Sequence, residues 1–222
     1  MYRGTASGAE TPLTAGGCSG LGAVLSCTDT GLTNGQAYFY RVSAANAVGE
    51  SGQSNEANAT PASTPTQLIG NPGFENGSTN PAPWAATPGV IGNSSTEPPH
   101  SGSWDAWLDG YGTTHTDTLS QQVTIPSNIS TAQLNFWLHI DTAETSSTTA
   151  YDTLQVQVRN PSGTVLGTLA TYSNLNAASG YTQKTFDLSA YKGQTIQIYL
   201  LGQEDSTLQT SFVVDDFALN VQ

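Results

Sequence analysis

The sequence predicts an all-β chain: a small N-terminal β unit, a linker, and a larger antiparallel β-sandwich of jelly-roll type. Three observations point there. Helical periodicity is almost absent, and short apolar/polar alternations recur instead. Gly, Pro, Asn and Ser clusters separate these alternations. The stretch "ATPASTPTQ", Ala59 to Gln67, reads as a Pro/Thr/Ser linker. The expected divisions are therefore residues 1–60, a linker at 61–67, and a domain at 68–222.

Composition narrows the function classes. Charged residues make up 10% of the 222, against about 25% in an average globular protein. The polar surface must come from Thr, Ser, Asn, Gln and Gly. Net charge is −12 with only five Lys plus Arg, so no basic stripe exists for a nucleic-acid backbone or an anionic membrane surface. The apolar runs are too short to span a bilayer, and "MYRGTASGAE" has no apolar core of a signal peptide. Cys18 and Cys27 close "CSGLGAVLSC" and match neither a zinc motif nor C-x-x-C. They are either a disulfide or two free thiols; the composition favours the disulfide, which implies an oxidising compartment.

In the N-terminal unit, "GLTNGQAYFYRVSAAN" holds a turn followed by a strand with Tyr38, Tyr40 and Val42 on one face. Together with "NAVGESGQSNEANATP" it resembles the second half of a fibronectin type III domain, over residues 2 to 61. Such a sandwich has seven strands, and the first two or so find no counterpart here. The resemblance thus implies a truncated fibronectin type III-like sandwich with exposed edges, suited to a strand-exchanged dimer.

Beyond the linker come "SWDAWLDGY", "TLSQQVTI", "AQLNFWLHID", "DTLQVQVRN", "YTQKTFDL", "TIQIYLLGQ" and "SFVVDDFALNV", each an alternating strand candidate. With "LIGNPGFENG" and "HSGSWDAWL", these segments resemble the jelly-roll modules appended to secreted bacterial hydrolases, many of them carbohydrate-binding modules. The wording "AWLDGYG", "HTDTLSQ" and "IDTAET" is also similar to the C-terminal domain of sedolisin/kumamolisin-type and other secreted peptidases.

Glu75 follows Phe74, and the adjacent pair Asp215 and Asp216 precedes Phe217. A carboxylate so placed must be hydrated, hydrogen-bonded or bound to a cation, because burying it bare costs several kcal/mol. The jelly-roll resemblance implies a structural calcium held by Glu75 and one of the two aspartates, with backbone oxygens of the first strand and of the "SGS" segment ending at Ser103. Alternation puts Val213, Asp215, Phe217, Leu219 and Val221 on one face, which favours Asp215 over Asp216. Solvated carboxylates at strand ends are the alternative.

The same alternation separates Leu134, Phe136, Leu138 and Ile140 from Asn135, Trp137, His139 and Asp141. It separates Leu154, Val156 and Val158 from Gln155, Gln157 and Arg159, and Ile196, Ile198 and Leu200 from Gln197 and Tyr199. One face is aliphatic and belongs to the core. The other gathers aromatic rings, amides and a guanidinium, the mixture that suits a sugar's apolar C–H face and its hydroxyls. Trp107 shares a face with Asp105 and Asp109 and joins the candidates, whereas Trp104 reads as core. A solvent-facing sheet of ordinary β-formers, or loops covering Trp137, would produce the same pattern.

No G-x-S-x-G, H-E-x-x-H, P-loop or EF-hand motif occurs, and His100, His115 and His139 lie at no metal-ligand spacing. Local pairs such as His115 with Asp117 fit loop hydrogen bonding better than hydrolysis. The expectation is a non-enzymatic, secreted bacterial module that binds polysaccharide or oligosaccharide beside an upstream catalytic domain. The alternative is an accessory domain of a secreted peptidase, serving folding, secretion or protein-substrate docking.

Overall fold

The computed structural model describes residues 1–62 and 64–222; Ser63, inside the expected linker, lies outside the described residues. Two compact units form, Met1–Thr64 and Pro65–Gln222.

The first unit is one antiparallel sheet of β1 (Tyr2–Gly4), β2 (Thr11–Pro12), β3 (Tyr38–Arg41) and β4 (Ala57–Ala59), in the order β2-β1-β3-β4. Tyr38 is buried and its hydroxyl accepts a hydrogen bond from Thr33 N at 3.0 Å. Val42, expected on the same face, falls just past the strand and is exposed. Cys18 and Cys27 are joined as a disulfide across 5.6 Å between Cα atoms, with Cys18 buried. With so few buried apolar side chains, polar contacts carry much of the organisation: Asp29 receives Arg3 at 2.8 Å and the Tyr40 hydroxyl at 3.1 Å.

The second unit is a sandwich of two antiparallel sheets. Its strands are β5 (Thr66–Gln67), β6 (Ala85–Ala86), β7 (Ile91–Gly92), β8 (Asp105–Asp109), β9 (His115–Thr124), β10 (Ala132–Thr142), β11 (Thr153–Arg159), β12 (Val165–Ser173), β13 (Ala178–Asp187), β14 (Thr195–Glu204) and β15 (Thr210–Val221). One sheet runs β13-β10-β15-β8-β7, with β5 also pairing β15; the other runs β12-β11-β14-β9-β6. The two sheets press their aliphatic faces together: Leu134, Phe136, Leu138 and Ile140 of β10 meet Leu154, Val156, Ile196, Ile198 and Leu200 from the facing sheet. Each such side chain contributes about 1.5–3 kcal/mol when fully buried. Phe74, Trp84, Phe136 and Phe217 fill one part of this core as an aromatic cluster, with ring centroids 4.8–5.1 Å apart between successive partners. Trp84, just before β6, is buried, with its Nε1 donating to Asn71 O at 2.8 Å.

Two readings from alternation change here. Asn135, Trp137 and His139 belong to one sheet, whereas Gln155, Gln157, Arg159, Gln197 and Tyr199 belong to the other. The single polar face is therefore two faces on opposite sides of the sandwich. Alternation assigns parity within a strand but not the sheet that strand joins. In β15, Asp215 lies opposite Trp137 and Val213 opposite His139, so both point away from the core while Phe212 and Val214 point in. A bulge follows: the β10–β15 register shifts and Asp216 takes φ 50°. The extra residue restores Phe217, Leu219 and Val221 to the core side. Asp215 is fully buried, but on the outer side of its sheet.

Candidate functional site

The outer face of the five-stranded sheet is built by register. Gln157 lies opposite Tyr199, which lies opposite Ser120; Arg159 lies opposite Gln197, which lies opposite Gln122. Gln155 flanks this patch on β11. A hydrogen-bonded chain fixes the side chains: Gln157 Nε2 donates to Gln155 Oε1 at 2.7 Å, and Arg159 Nε donates to Gln157 Oε1 at 2.8 Å. The Arg159 guanidinium carbon stacks 3.3 Å from the Tyr199 ring centroid, a cation–π arrangement that holds the group flat. The acids in the strands of this sheet, Asp117 and Glu204, are buried and share the inward parity of Leu119 and Leu200. The outer face is thus neutral amide and hydroxyl with one cation.

The other outer face is differently dressed. His100 stacks on Trp137 with centroids 4.0 Å apart and planes at 14°. Tyr181 Oη donates to Pro98 O at 3.0 Å, and Glu97 Oε2 comes within 3.8 Å of His139 Nε2. Asn135 Oδ1 is taken by the Thr185 hydroxyl at 2.6 Å. The segment around Glu97–His100 therefore lies against the ring face that a sugar would need. Trp107 is half-buried opposite Val213, and its Nε1 has no partner among the described residues. Beneath the segment, burial pushes Asp105 up to about 7, with Asp215 and Glu97 adding repulsion. Burial likewise raises Asp215 to about 6, against the N–H groups of Ser101 and Asp216.

The carboxylates of Glu75, Asp215 and Asp216 each bind the Ser101–Trp104 segment. A Cβ built on Gly73 would stand 3.3 Å from Asp216 Oδ1, 3.6 Å from Asp215 Oδ1 and 3.9 Å from Glu75 Cγ. Glu75 Oε1 accepts from Ser103 N at 2.8 Å and Trp104 N at 3.1 Å. Asp216 Oδ2 pairs with His100 Nδ1 at 2.7 Å, and Asp216 Oδ1 accepts from Ser101 Oγ at 2.9 Å. Ser103 thus offers its N–H to Glu75 in this arrangement. Among the described residues no three His, Cys, Asp or Glu side chains are arranged to hold a metal ion by themselves.

A second acidic group forms in the interior, although nothing in the sequence pattern marks its members as one site. Asp109, Asp117, Asp152 and Glu204 are each no more than 4% exposed, at one end of the sandwich interior. Three are satisfied: Asp117 by Asp109 N at 3.0 Å, Glu204 by Tyr111 N and Gly112 N, Asp152 by Asp205 N and the Thr210 hydroxyl. Both Asp109 oxygens lack a partner among the described residues. Burial, then Asp117, Glu204 and Asp152, push its carboxyl up to about 8. A signal for burial exists in the sequence, since Asp117 has the parity of Leu119, Asp152 that of Leu154, and Glu204 that of Leu200. His115 Nε2 does meet Asp117 Oδ1 at 3.2 Å, but on strand β9 rather than in a loop.

No protein-family model matches this chain, and no curated protein matches it either. Solved structures do. TmCBM61 in complex with β-1,4-galactotriose is 18% identical over 71% of this chain and 99% of its own, with TM-score 0.51. The CBM22-1 xylan-binding domain of Paenibacillus barcinonensis Xyn10C is 15% identical over 72% of this chain and 97% of its own, TM-score 0.44. A cyclase from Fischerella sp. TAU is 17% identical over 72% and 98%, TM-score 0.42. The class defined is a β-sandwich with the fold of a carbohydrate-binding module. At these identities the likeness is one of fold, and function has to be argued from the site.

Proposed function

We propose that this chain is a non-catalytic polysaccharide-binding accessory module of a secreted bacterial hydrolase, with the sugar seated on the outer face of the five-stranded sheet. The observation that carries the reading is that Gln155 and the Arg159 guanidinium, which stacks on Tyr199, are both held in place by hydrogen bonds to the buried Gln157 between them. Sugar hydroxyls need planar donors and acceptors held in place, and ordering them in advance removes part of the entropic cost of binding. The similar fold of TmCBM61, solved with a galactotriose, supports the ligand class. The disulfide supports an oxidising destination. Binding would raise the local concentration of an upstream catalytic domain on its insoluble substrate.

A structural calcium belongs to the same proposal. The space over Gly73, which a Cβ would fill, is bordered by one oxygen each of Asp215 and Asp216; the Glu75 carboxylate binds the neighbouring Ser103 and Trp104 N–H groups, and the three acids together offer the hard oxygens that suit calcium. Glu75 and Asp215 would hold it, with Asp216 beside them and backbone oxygens completing the shell. The ion would neutralise charge and tie the opening and closing segments of the unit together.

The test is retention of the purified chain on a panel of plant and microbial polysaccharides by affinity electrophoresis. Tyr199→Ala should weaken retention at least tenfold and leave the melting temperature nearly unchanged, whereas Trp137→Ala should lower the melting temperature and spare retention. Failure of the wild-type chain to bind any polysaccharide, or unaltered retention by Tyr199→Ala, would refute the reading.

A further inference from the structure

Resting on that reading, we infer that the ligand is an anionic glycan, one carrying uronic-acid carboxylates, and that Arg159 is the residue that selects it. Charge placement carries the inference. The chain holds 17 acids and five Lys plus Arg, so the few cations mark the places where an anion would be received. Arg3 and Arg41 of the first unit are both ion-paired with acids. Arg159, Lys184 and Lys192 make no ion pair among the described residues, so position rather than lack of an acid singles out Arg159. Lys184 belongs to the opposite sheet and Lys192 to a turn, so Arg159 is the cation of the amide face.

Its surroundings are built to keep it available. Only Nε is engaged, by Gln157, and the Tyr199 ring supports the flat of the guanidinium. The two terminal nitrogens have no hydrogen-bond partner among the described residues. These form the fork that matches a carboxylate with two parallel bonds. Acceptors for neutral sugar hydroxyls are often carboxylates, but this face supplies only amide and hydroxyl oxygens. The strand acids of the sheet, Asp117 and Glu204, point inward and bind backbone N–H groups. The face therefore carries positive charge and no acid to repel a uronate. The net charge of −12 opposes a polyanion only at long range, and salt screens that repulsion beyond about 8 Å.

The experiment measures affinities for two matched pairs of short, soluble oligomers: oligogalacturonate against its methyl ester, and glucuronate-bearing xylan oligomers against unsubstituted ones. The wild-type chain should prefer the acid member of at least one pair by about tenfold or more. Arg159→Gln should abolish the preference with an unchanged melting temperature, and Arg159→Lys, which keeps the charge but loses the fork, should retain only part of it. Equal affinity for acid and neutral members would overturn the inference while leaving glycan binding intact. So would a preference that survives Arg159→Gln. Binding to none of these oligomers and to no polysaccharide in the wider panel would overturn both.

Discussion

Replacing Asp109 by asparagine should remove a pH dependence built into the sandwich. Asp109 is buried beside Asp117, Asp152 and Glu204, and its carboxyl is pushed up to about 8 from the ordinary 3.8. The folded state therefore holds its proton more tightly than the unfolded chain does. Stability from this group is fully present below about pH 4 and is lost as pH rises toward 8. Each pH unit crossed between the unfolded and folded pKa removes about 1.4 kcal/mol, so the loss between about pH 5 and pH 8 is roughly 3–4 kcal/mol. Asparagine carries no charge, and its amide N–H groups can donate to the neighbouring carboxylates. Asp105, raised to about 7, and Asp215, to about 6, titrate alike in both proteins and drop out of the difference.

The assay is urea unfolding at both pH values in EDTA, followed by tryptophan fluorescence. All four tryptophans (Trp84, Trp104, Trp107 and Trp137) lie in the larger unit, so the signal reports that unit alone. The stability of Asp109→Asn relative to wild type should rise by several kcal/mol between the two conditions. An equal effect at both pH values would refute the reasoning, because it would mean Asp109 is ionised in the fold without penalty.

Chelation should act at the other group of acids, Glu75, Asp215 and Asp216. At calcium a hundredfold above its dissociation constant the site would contribute about 2.7 kcal/mol, on the order of 5–10 °C in a unit of this size. EDTA should cost that much in a thermal melt, reversibly, and Glu75→Gln should be insensitive to it; a melt unmoved by either would remove calcium from the account. Gly202→Ala should be destabilising by about 1–3 kcal/mol, because its Cβ would meet Asp109 Oδ2 on the facing sheet. Urea unfolding in the same buffer checks it, and a neutral outcome would mean the Asp109 side chain is free to move aside.

Much of the sandwich is legible from alternation alone. In "LNFWLHI" and "TIQIYL" every residue assigned to the aliphatic face is buried in the core. Alternation carries no information about which strands neighbour one another, so it gathers Trp137 and Tyr199 onto one surface although they lie on opposite sides. Nor does it register an inserted residue: the bulge at Asp216 reverses the phase of β15 partway along. The covering of Trp137 by His100 is a contact between residues far apart in the chain, which no local pattern encodes. The acids around Asp109 escape for a different reason. The inward parity of Asp117 is visible in "HTDTLSQQV", but an acid beside a histidine reads more readily as part of a loop than of a core.

Thr66 and Gln67 of β5 pair with Val221 and Asn220 of β15. The larger unit's entry and exit points are thus adjacent strands in one sheet. Such a body can be spliced into a host's surface loop as readily as strung in series, since its two attachment points need almost no gap between them. The Gln155–Tyr199 face belongs to the opposite sheet, so neither mode of attachment runs through the strands that would grip a glycan.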